Sequence, residues 1–283
     1  ALETGMRLGA RDPRGVRSDN DLGRFGLGLK TASFSQARRL TVASRKSGGP
    51  LVCLRWDLDL IGNEPGADWP LFEGPAPGSE HLLAALGTME HGTIVLWETL
   101  DRIVTEGFQS KDMRELADRL EAHLAMTYHR LIEGPKPELR ILLNDGAVKP
   151  WDPFMEDHPG KALQSPEFRL LLTTGVRVQS HVLPHRDMLK TAEQEAAAGP
   201  SGWTQQEGFY VYRNKRLLMA GGWLGLGDGG KSWPRDEAHR LARIRIDIPN
   251  TADADWKINV LKSTASPPVR LRPQLHRIAA EAR

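Results

Sequence analysis

The segment Gly23-Arg24-Phe25-Gly26-Leu27-Gly28-Leu29-Lys30-Thr31 is the most informative stretch of the sequence. Three glycines within six residues, followed by a predicted helix over 31–38, can place backbone N–H groups against an anion. A Walker loop requires Lys directly after the last glycine of its frame, but Leu29 separates Gly28 from Lys30. A dinucleotide fingerprint requires a third glycine where Thr31 stands. Two interpretations stay open at this point: an anion-binding loop of another kind, or a ligand-free turn before a helix.

The patterns around this segment alternate between helix and strand, which predicts an α+β protein. A glycine-rich and proline-rich middle of the 283-residue chain suggests two domains, residues 1–150 and residues 151–283. The stripe Leu116, Leu120, Leu124, Tyr128 and Leu131 predicts a helix between Ser110 and Glu133. Alternating or apolar runs predict strands over 40–44, 51–56, 93–97, 139–143, 176–182 and 243–248, a hairpin over 209–219, and a final helix over 269–282.

Composition excludes several classes of function. The chain has 38 Lys and Arg against 36 Asp and Glu, a formal net charge of +2, so any nucleic-acid contact would need a local patch. The single cysteine, Cys53, excludes an internal disulfide and a multi-cysteine zinc site, and we predict that it is inert core. No apolar run approaches the ~20 residues that span a bilayer, so we expect a cytoplasmic protein without a membrane partner.

The segment Gly-x-Phe-Gly-x-Gly-Leu before Thr31 resembles the ATP-lid motif of the GHKL superfamily, which comprises gyrase B, heat-shock-90-class chaperones, histidine kinases and MutL. Gly92-Thr93-Ile94-Val95-Leu96 resembles the family's Gly-Thr-x-Val strand, whose threonine lies beside the adenine edge. The stretch Trp256 to Ser263 is similar to the transducer domain of the gyrase, MutL and MORC branches, and the hairpin from Gly208 to Leu218 looks like prokaryotic MORC-like proteins. These elements occur in the expected order along nearly the whole chain.

The resemblance implies a Bergerat-type α/β sandwich that binds ATP with Mg²⁺, followed by a transducer-like domain of the ribosomal S5 fold type. It implies nucleotide contacts from Thr93 and from the lid residues Gly23, Arg24, Phe25, Gly26, Leu27, Gly28, Leu29, Lys30 and Thr31. It also implies a lysine that reaches the γ-phosphate and acts in catalysis, for which Lys262 is the best match and Lys257 the second choice.

The sequence departs from the family in one respect. The upstream helix with Glu and Asn, and the Asp-x-Gly-x-Gly turn, are absent from residues 1–283. We therefore expect this chain to be a fragment, and no metal ligand or general base can be named. The intact protein is predicted to be an ATP-hydrolysing conformational switch; the alternative is a non-hydrolysing nucleotide-binding or protein-interaction module that retains the fold.

Two partners follow from the same interpretation. Ordering a lid of about fifteen residues costs roughly 1–2 kcal/mol per residue. About five charge-assisted hydrogen bonds, at roughly 1.5–3 kcal/mol each, return only part of this cost. We therefore expect an ATP-dependent homodimer to supply further packing. A DNA contact would use an arginine-rich face, which comprises Arg235, Arg240, Arg243, Arg245, Arg270, Arg272 and Arg277.

Overall fold

The computed structural model describes residues 2–7, 27–61, 69–158, 160, 163–171, 175–252, 255–258 and 265–283. Contacts between Cα atoms divide the chain into two compact units, which meet in sequence at Ser110 and Lys111. By these contacts residues 111–150 belong to the second unit, whereas the sequence patterns group them with the first domain. No described helix is both long enough and apolar enough to cross a bilayer.

The first unit is a small sheet with short helices. Its helices are α1 (Leu2–Met6), α2 (Gly28–Phe34) and α3 (Ala85–Thr88), and its strands are β1 (Arg39–Arg45), β2 (Leu51–Asp57), β3 (Phe72–Glu73) and β4 (Gly92–Glu98). The strands form an antiparallel sheet in the order β3-β2-β1-β4, so β4 is an edge strand among the described residues. The predicted strands over 40–44, 51–56 and 93–97 are confirmed.

Strand alternation gives this sheet two different faces. On one face, Leu40, Val42, Leu54 and Trp56 form a buried cluster with Met6 of α1, and Phe34 of α2 packs against it. On the other face, Ala43 packs with Leu83 and Leu86, and Cys53 is partly buried beside them. Burial raises the pKa of the Cys53 thiol, in agreement with its assignment as inert core.

The second unit contains four helices among its described residues: α4 (Ser110–Thr127), α5 (His129–Ile132), α6 (Thr191–Ala198) and α7 (Arg272–Ala282). Its strands are β5 (Leu142–Leu143), β6 (Gly146–Ala147), β7 (Leu163–Gln164), β8 (Phe168–Arg169), β9 (Arg177–Val182), β10 (Gly208–Arg213), β11 (Arg216–Ala220) and β12 (Ala242–Ile248). The main sheet has the order β11-β10-β12-β9-β7, and β8 also pairs with β9. Strands β10 and β12 are parallel neighbours, whereas the other pairs are antiparallel.

The two faces of this sheet differ in polarity. Ile244, Ile246 and Ile248 of β12 lie in the main core, to which α7 contributes Leu275 and Ile278. The alternate residues Arg243, Arg245 and Asp247 point to the opposite face, as the pleat requires. The predicted strand over 243–248 is therefore confirmed, together with its alternation.

Three predicted elements differ from the structure. The helix predicted over 31–38 is α2, which begins at Gly28 and ends at Phe34. The helix predicted from Ser110 to Glu133 is interrupted at Tyr128, whose backbone (φ −114°, ψ 11°) leaves the helical region, so α4 and α5 are separate. The apolar stripe of this helix is not buried along its whole length, since Leu120 is 42% exposed. The strand predicted over 139–143 is reduced to the two residues of β5, which pair with β6 across the Asn144-Asp145 turn.

Candidate functional site

The glycine-rich segment leads directly into α2. Gly23, Arg24, Phe25 and Gly26 lie outside the described residues, and Leu27 precedes the helix, which begins at Gly28. A Cβ atom built on Gly28 would meet nothing within 4 Å, and Gly28 is not among the glycines with positive φ. Among the described residues, neither packing nor backbone conformation therefore requires glycine here, and none of them fills the space beside the start of α2.

Lys30 is directed into the unit. Its side chain is buried, and its Nζ donates a hydrogen bond of 2.9 Å to the carbonyl oxygen of Gly5 in α1. Burial lowers the pKa of the Lys30 ammonium. This contact ties α2 to α1, a role that the sequence did not indicate.

Thr31 and Ser33 use their hydroxyl groups within α2. Thr31 Oγ1 donates to the carbonyl oxygen of Leu27 at 3.0 Å, and Ser33 Oγ donates to that of Leu29 at 2.6 Å. Ser33 Oγ also accepts a hydrogen bond of 2.8 Å from the indole N–H of Trp97 in β4. The end of α2 is thus fixed against the edge strand of the sheet.

Thr93 lies on the same edge strand and is solvent-exposed. Its Oγ1 is 2.8 Å from Ser44 Oγ, its register partner on β1. Because side chains alternate along a strand, Thr93, Val95 and Trp97 share the face that α2 contacts. Val95 and Trp97 are 47% and 38% exposed, so this face is an open apolar surface with a hydroxyl at one end. Thr93 and Trp97 are four residues apart, roughly 13 Å along the strand.

This arrangement suits a flat, partly apolar ligand. The exposed face of β4 offers contact area for a ring, Thr93 offers a hydroxyl, and Gly28 leaves room for a close approach to the backbone. Among the described residues, no group of three His, Cys, Asp or Glu side chains could hold a metal ion, so Mg²⁺ has no assigned ligand here.

The lysines predicted to reach the phosphate belong to the second unit. Lys262 lies outside the described residues. Lys257 is in a turn directly after the buried Trp256, with a positive φ of 49°. Its role remains a prediction, as does that of Lys262.

The arginine-rich face is largely engaged in contacts within its own unit. Arg243 is fully buried, and Arg245 forms ion pairs with Glu156 and Glu167. The remaining members each contact an acceptor in the same unit: Arg235 contacts Gln205, Arg240 contacts Glu237, Arg270 contacts Asp255, Arg272 contacts Gly225 and Arg277 contacts Glu281. DNA contact through these side chains would have to compete with these interactions.

The polar face of the second sheet contains a cluster that the sequence patterns do not single out. His129 is buried, with its Nε2 2.7 Å from the Tyr212 hydroxyl, and it lines a cavity of about 610 Å³ together with Arg130 and Glu156. His181 contacts Phe154, which also lines this cavity, with ring centroids 4.6 Å apart. Burial, and to a lesser degree the positive charge of Arg245, lowers the pKa of His181 to about 4. The alternation of apolar and charged residues along β12 is the sequence signal that could have indicated this polar face.

A family model described as "Histidine kinase-, DNA gyrase B-, and HSP90-like ATPase" matches residues 1–93. Comparison with curated proteins gave no significant match. Among solved structures, the ATPase region of Saccharomyces cerevisiae topoisomerase II bound to ICRF-187 (dexrazoxane) is 11% identical, with a TM-score of 0.39, and the match covers 91% of this chain and 61% of that chain.

Two further structures are similar to the same degree. A second structure of the Saccharomyces cerevisiae topoisomerase II ATPase region is 10% identical (TM-score 0.40), covering 94% of this chain and 67% of that one. The ATPase and transducer domains of DNA topoisomerase II from Balamuthia mandrillaris are 12% identical (TM-score 0.41), covering 94% and 64%. The chain thus spans about three fifths of the length of the ICRF-187-bound structure.

The similarity to this ATPase family comes from the family model alone. Its match contains the whole of the Gly23–Thr31 segment and ends at Thr93, the two elements that the lid motif and the Gly-Thr strand had indicated. Residues 1–93, about a third of the chain, are therefore similar to the histidine kinase-, DNA gyrase B- and HSP90-like ATPases.

Proposed function

We propose that the N-terminal unit binds ATP and that the intact protein hydrolyses it as a conformational switch. The observation that carries this proposal is the match of residues 1–93 to an ATPase family model, because that stretch includes the predicted lid and Thr93. ATP supplies the phosphoryl group that is transferred to water, and Mg²⁺ would accompany it.

The described residues fit a nucleotide. We assign the adenine edge to the Thr93 hydroxyl and the ring faces to the exposed apolar surface of Val95 and Trp97. We assign the phosphates to main-chain N–H groups of the segment from Arg24 to Leu29. The open space at Gly28 supports this assignment, since a backbone can approach a phosphate closely only where no side chain intervenes.

The finer parts of the proposal follow from the family resemblance. We place the protein in the prokaryotic MORC-like branch, with a boundary near Pro150 and a transducer-like second domain of the ribosomal S5 fold type. Lys262 is the proposed γ-phosphate ligand. A homodimer that forms on ATP binding, action on DNA and a cytoplasmic setting complete this proposal.

Equilibrium binding of ATP to the purified protein tests the proposal directly. We expect binding to weaken in Gly28→Val and to stay unchanged in Gly87→Val, a matched control in α3 that also has no atom within 4 Å of its built Cβ. Equal affinity of the two variants would refute the site.

Turnover separates the two functional hypotheses. ATP binding with measurable phosphate release supports the switch, whereas binding without release supports the non-hydrolysing module. Light scattering with and without ATP tests the dimer, and an oligomeric state that does not respond to ATP would contradict it.

A further inference from the structure

The second unit carries a glycine-rich motif that the proposed function does not use. Residues 225–232 read Gly-Leu-Gly-Asp-Gly-Gly-Lys-Ser, which fits the pattern Gly-x-x-x-x-Gly-Lys-Ser of phosphate-binding loops. In such loops, backbone N–H groups surround a phosphate and the lysine neutralises its charge. The pattern alone is only a hypothesis, so the local geometry must support it.

The loop is a closed, hydrogen-bonded structure. The amide of Lys231 donates to the carbonyl oxygen of Asp228 at 3.0 Å, and the amide of Trp233 donates to that of Leu226 at 2.8 Å. A Cβ on Gly227 would lie 1.8 Å from the carbonyl oxygen of Lys231, so the loop closes only with glycine at this position. Gly230 has a φ of +79°, which favours glycine directly before the lysine.

The closed loop borders a cavity of about 310 Å³. The other wall is the first turn of α7, which contributes Arg272, Pro273 and His276. Lys231, Ser232 and Arg272 all line this cavity, which places two cationic residues and one hydroxyl residue beside it. Arg272 also donates to the carbonyl oxygen of Gly225 at 2.6 Å, which fixes its guanidinium to the loop.

The one acidic residue of the loop, Asp228, is engaged by two neighbouring side chains. The Asp228 carboxylate accepts hydrogen bonds from the indole N–H of Trp233 at 2.8 Å and pairs with His276 Nε2 at 2.9 Å. The Trp233 hydrogen bond, followed by that of His276, lowers the pKa of Asp228. The carboxylate thus stays ionised with its two oxygens directed at these two groups, while Lys231 and Arg272, and not Asp228, line the cavity.

The setting differs from that of a nucleoside triphosphatase loop, in which the lysine stands at the start of a helix. Here residues 233–241 are irregular, and the helical wall comes from α7, about forty residues later in the chain. We propose that this cavity is a second phosphate-binding site, separate from the N-terminal unit, which takes the phosphoryl groups of a polyphosphate. Its volume is at the lower end of the range for small-molecule sites, which suits a diphosphate better than an enclosed nucleotide.

Titration of the Gly28→Val protein with inorganic pyrophosphate tests this site without the N-terminal one. With ¹⁵N-glycine labelling, we expect the amide resonances of Gly225, Gly227, Gly229 and Gly230 to shift on binding. Lys231→Gln should weaken binding roughly tenfold to a hundredfold, the range for loss of one charge-assisted hydrogen bond. Lys149→Gln, which removes an exposed lysine elsewhere in the same unit, should leave the affinity unchanged.

Three results would overturn the proposal: no binding at millimolar pyrophosphate, no shift of the loop amides, or equal weakening by Lys231→Gln and Lys149→Gln. A parallel titration with ATP distinguishes the source of the phosphate. Equal affinities indicate that the phosphates alone are recognised, and tighter ATP binding indicates a nucleotide; both results support the site. Because the N-terminal site is disabled in this protein, failure here would leave the proposed ATPase function untouched.

Discussion

The indole N–H of Trp97 donates to Ser33 Oγ at 2.8 Å and joins the edge strand β4 to the end of α2. This single hydrogen bond connects the element that carries Thr93 to the element that begins at Gly28. This contact therefore adds to the packing of Phe34 in fixing the two sides of the proposed nucleotide site relative to each other.

Replacing Trp97 with Phe should loosen this connection. We expect a loss of about 0.5–1.5 kcal/mol in the free energy of unfolding, since a part-buried hydrogen bond is removed while the aromatic ring is kept. ATP binding should weaken as well, because α2 is held less firmly against β4. Urea unfolding and calorimetric titration measure the two effects. Trp69→Phe, at an exposed tryptophan of the same unit, is the control; ATP affinity that falls equally in both would contradict the prediction.

Replacing Thr93 with Val removes the hydroxyl assigned to the adenine edge and keeps the shape of the side chain. We expect ATP affinity to fall roughly twofold to tenfold, in line with the loss of one neutral hydrogen bond. Stability should change little because Thr93 is exposed. Thr105→Val, at an exposed threonine of the same unit, should bind ATP as the unmodified protein does. GTP binding in parallel would show whether Thr93 contributes to base selection.

Replacing Lys262 with Ala should reduce turnover by about two to three decades, the scale for removing one transition-state charge contact. ATP binding should weaken much less. Steady-state phosphate release and equilibrium binding separate the two quantities. Lys257→Ala is the matched comparison, and a larger loss of turnover in that variant would transfer the role to Lys257.

Acid should destabilise the second unit through His181. This residue is buried, faces Arg243 in the register of β9 and β12, and lies 4.0 Å from Glu156. Its pKa is about 4 in the folded protein against 6.5 ordinarily, so the unfolded chain binds more protons between these values. Stability should therefore fall as the pH drops from 6.5 to 4, by up to roughly 3 kcal/mol.

The variant His181→Phe tests this pH dependence. Phenylalanine cannot titrate and can still stack on Phe154, so the slope of unfolding free energy against pH should flatten between pH 6.5 and 4. His123→Gln, at an exposed position of α4, should leave the slope unchanged. An unaltered slope in His181→Phe would assign the acid sensitivity to other groups.

Local sequence signals predicted much of the fold. The alternation from Arg243 to Ile248 gave both the strand and its two faces, and Asn214 and Lys215 adopt the positive φ values expected of a two-residue hairpin turn. The interruption at Tyr128 was not predictable from the apolar spacing, because the stripe continues through it. Periodicity records which residues share a face and does not record where the backbone leaves the helix.

The site was predicted less completely than the fold. Gly28 and Thr93 were indicated by their motifs, but the burial of Lys30 against Gly5 depends on how α1 packs, which no local pattern contains. The loop at residues 225–232 has a glycine pattern that does not by itself indicate a closed structure. Its closure depends on Gly227 approaching Lys231 across the loop, a contact visible only in three dimensions.

The parallel pairing of β10 and β12 has a consequence for the kinetics of folding. Parallel neighbours cannot be joined by a tight turn. The chain between Arg213 and Ala242 must therefore complete its crossover before β10 and β12 can form their hydrogen bonds. That crossover contains the glycine-rich loop, which makes loop closure an entropic barrier early in assembly. A bulky residue at Gly227 would thus be expected to reveal itself first as slow refolding of the second unit.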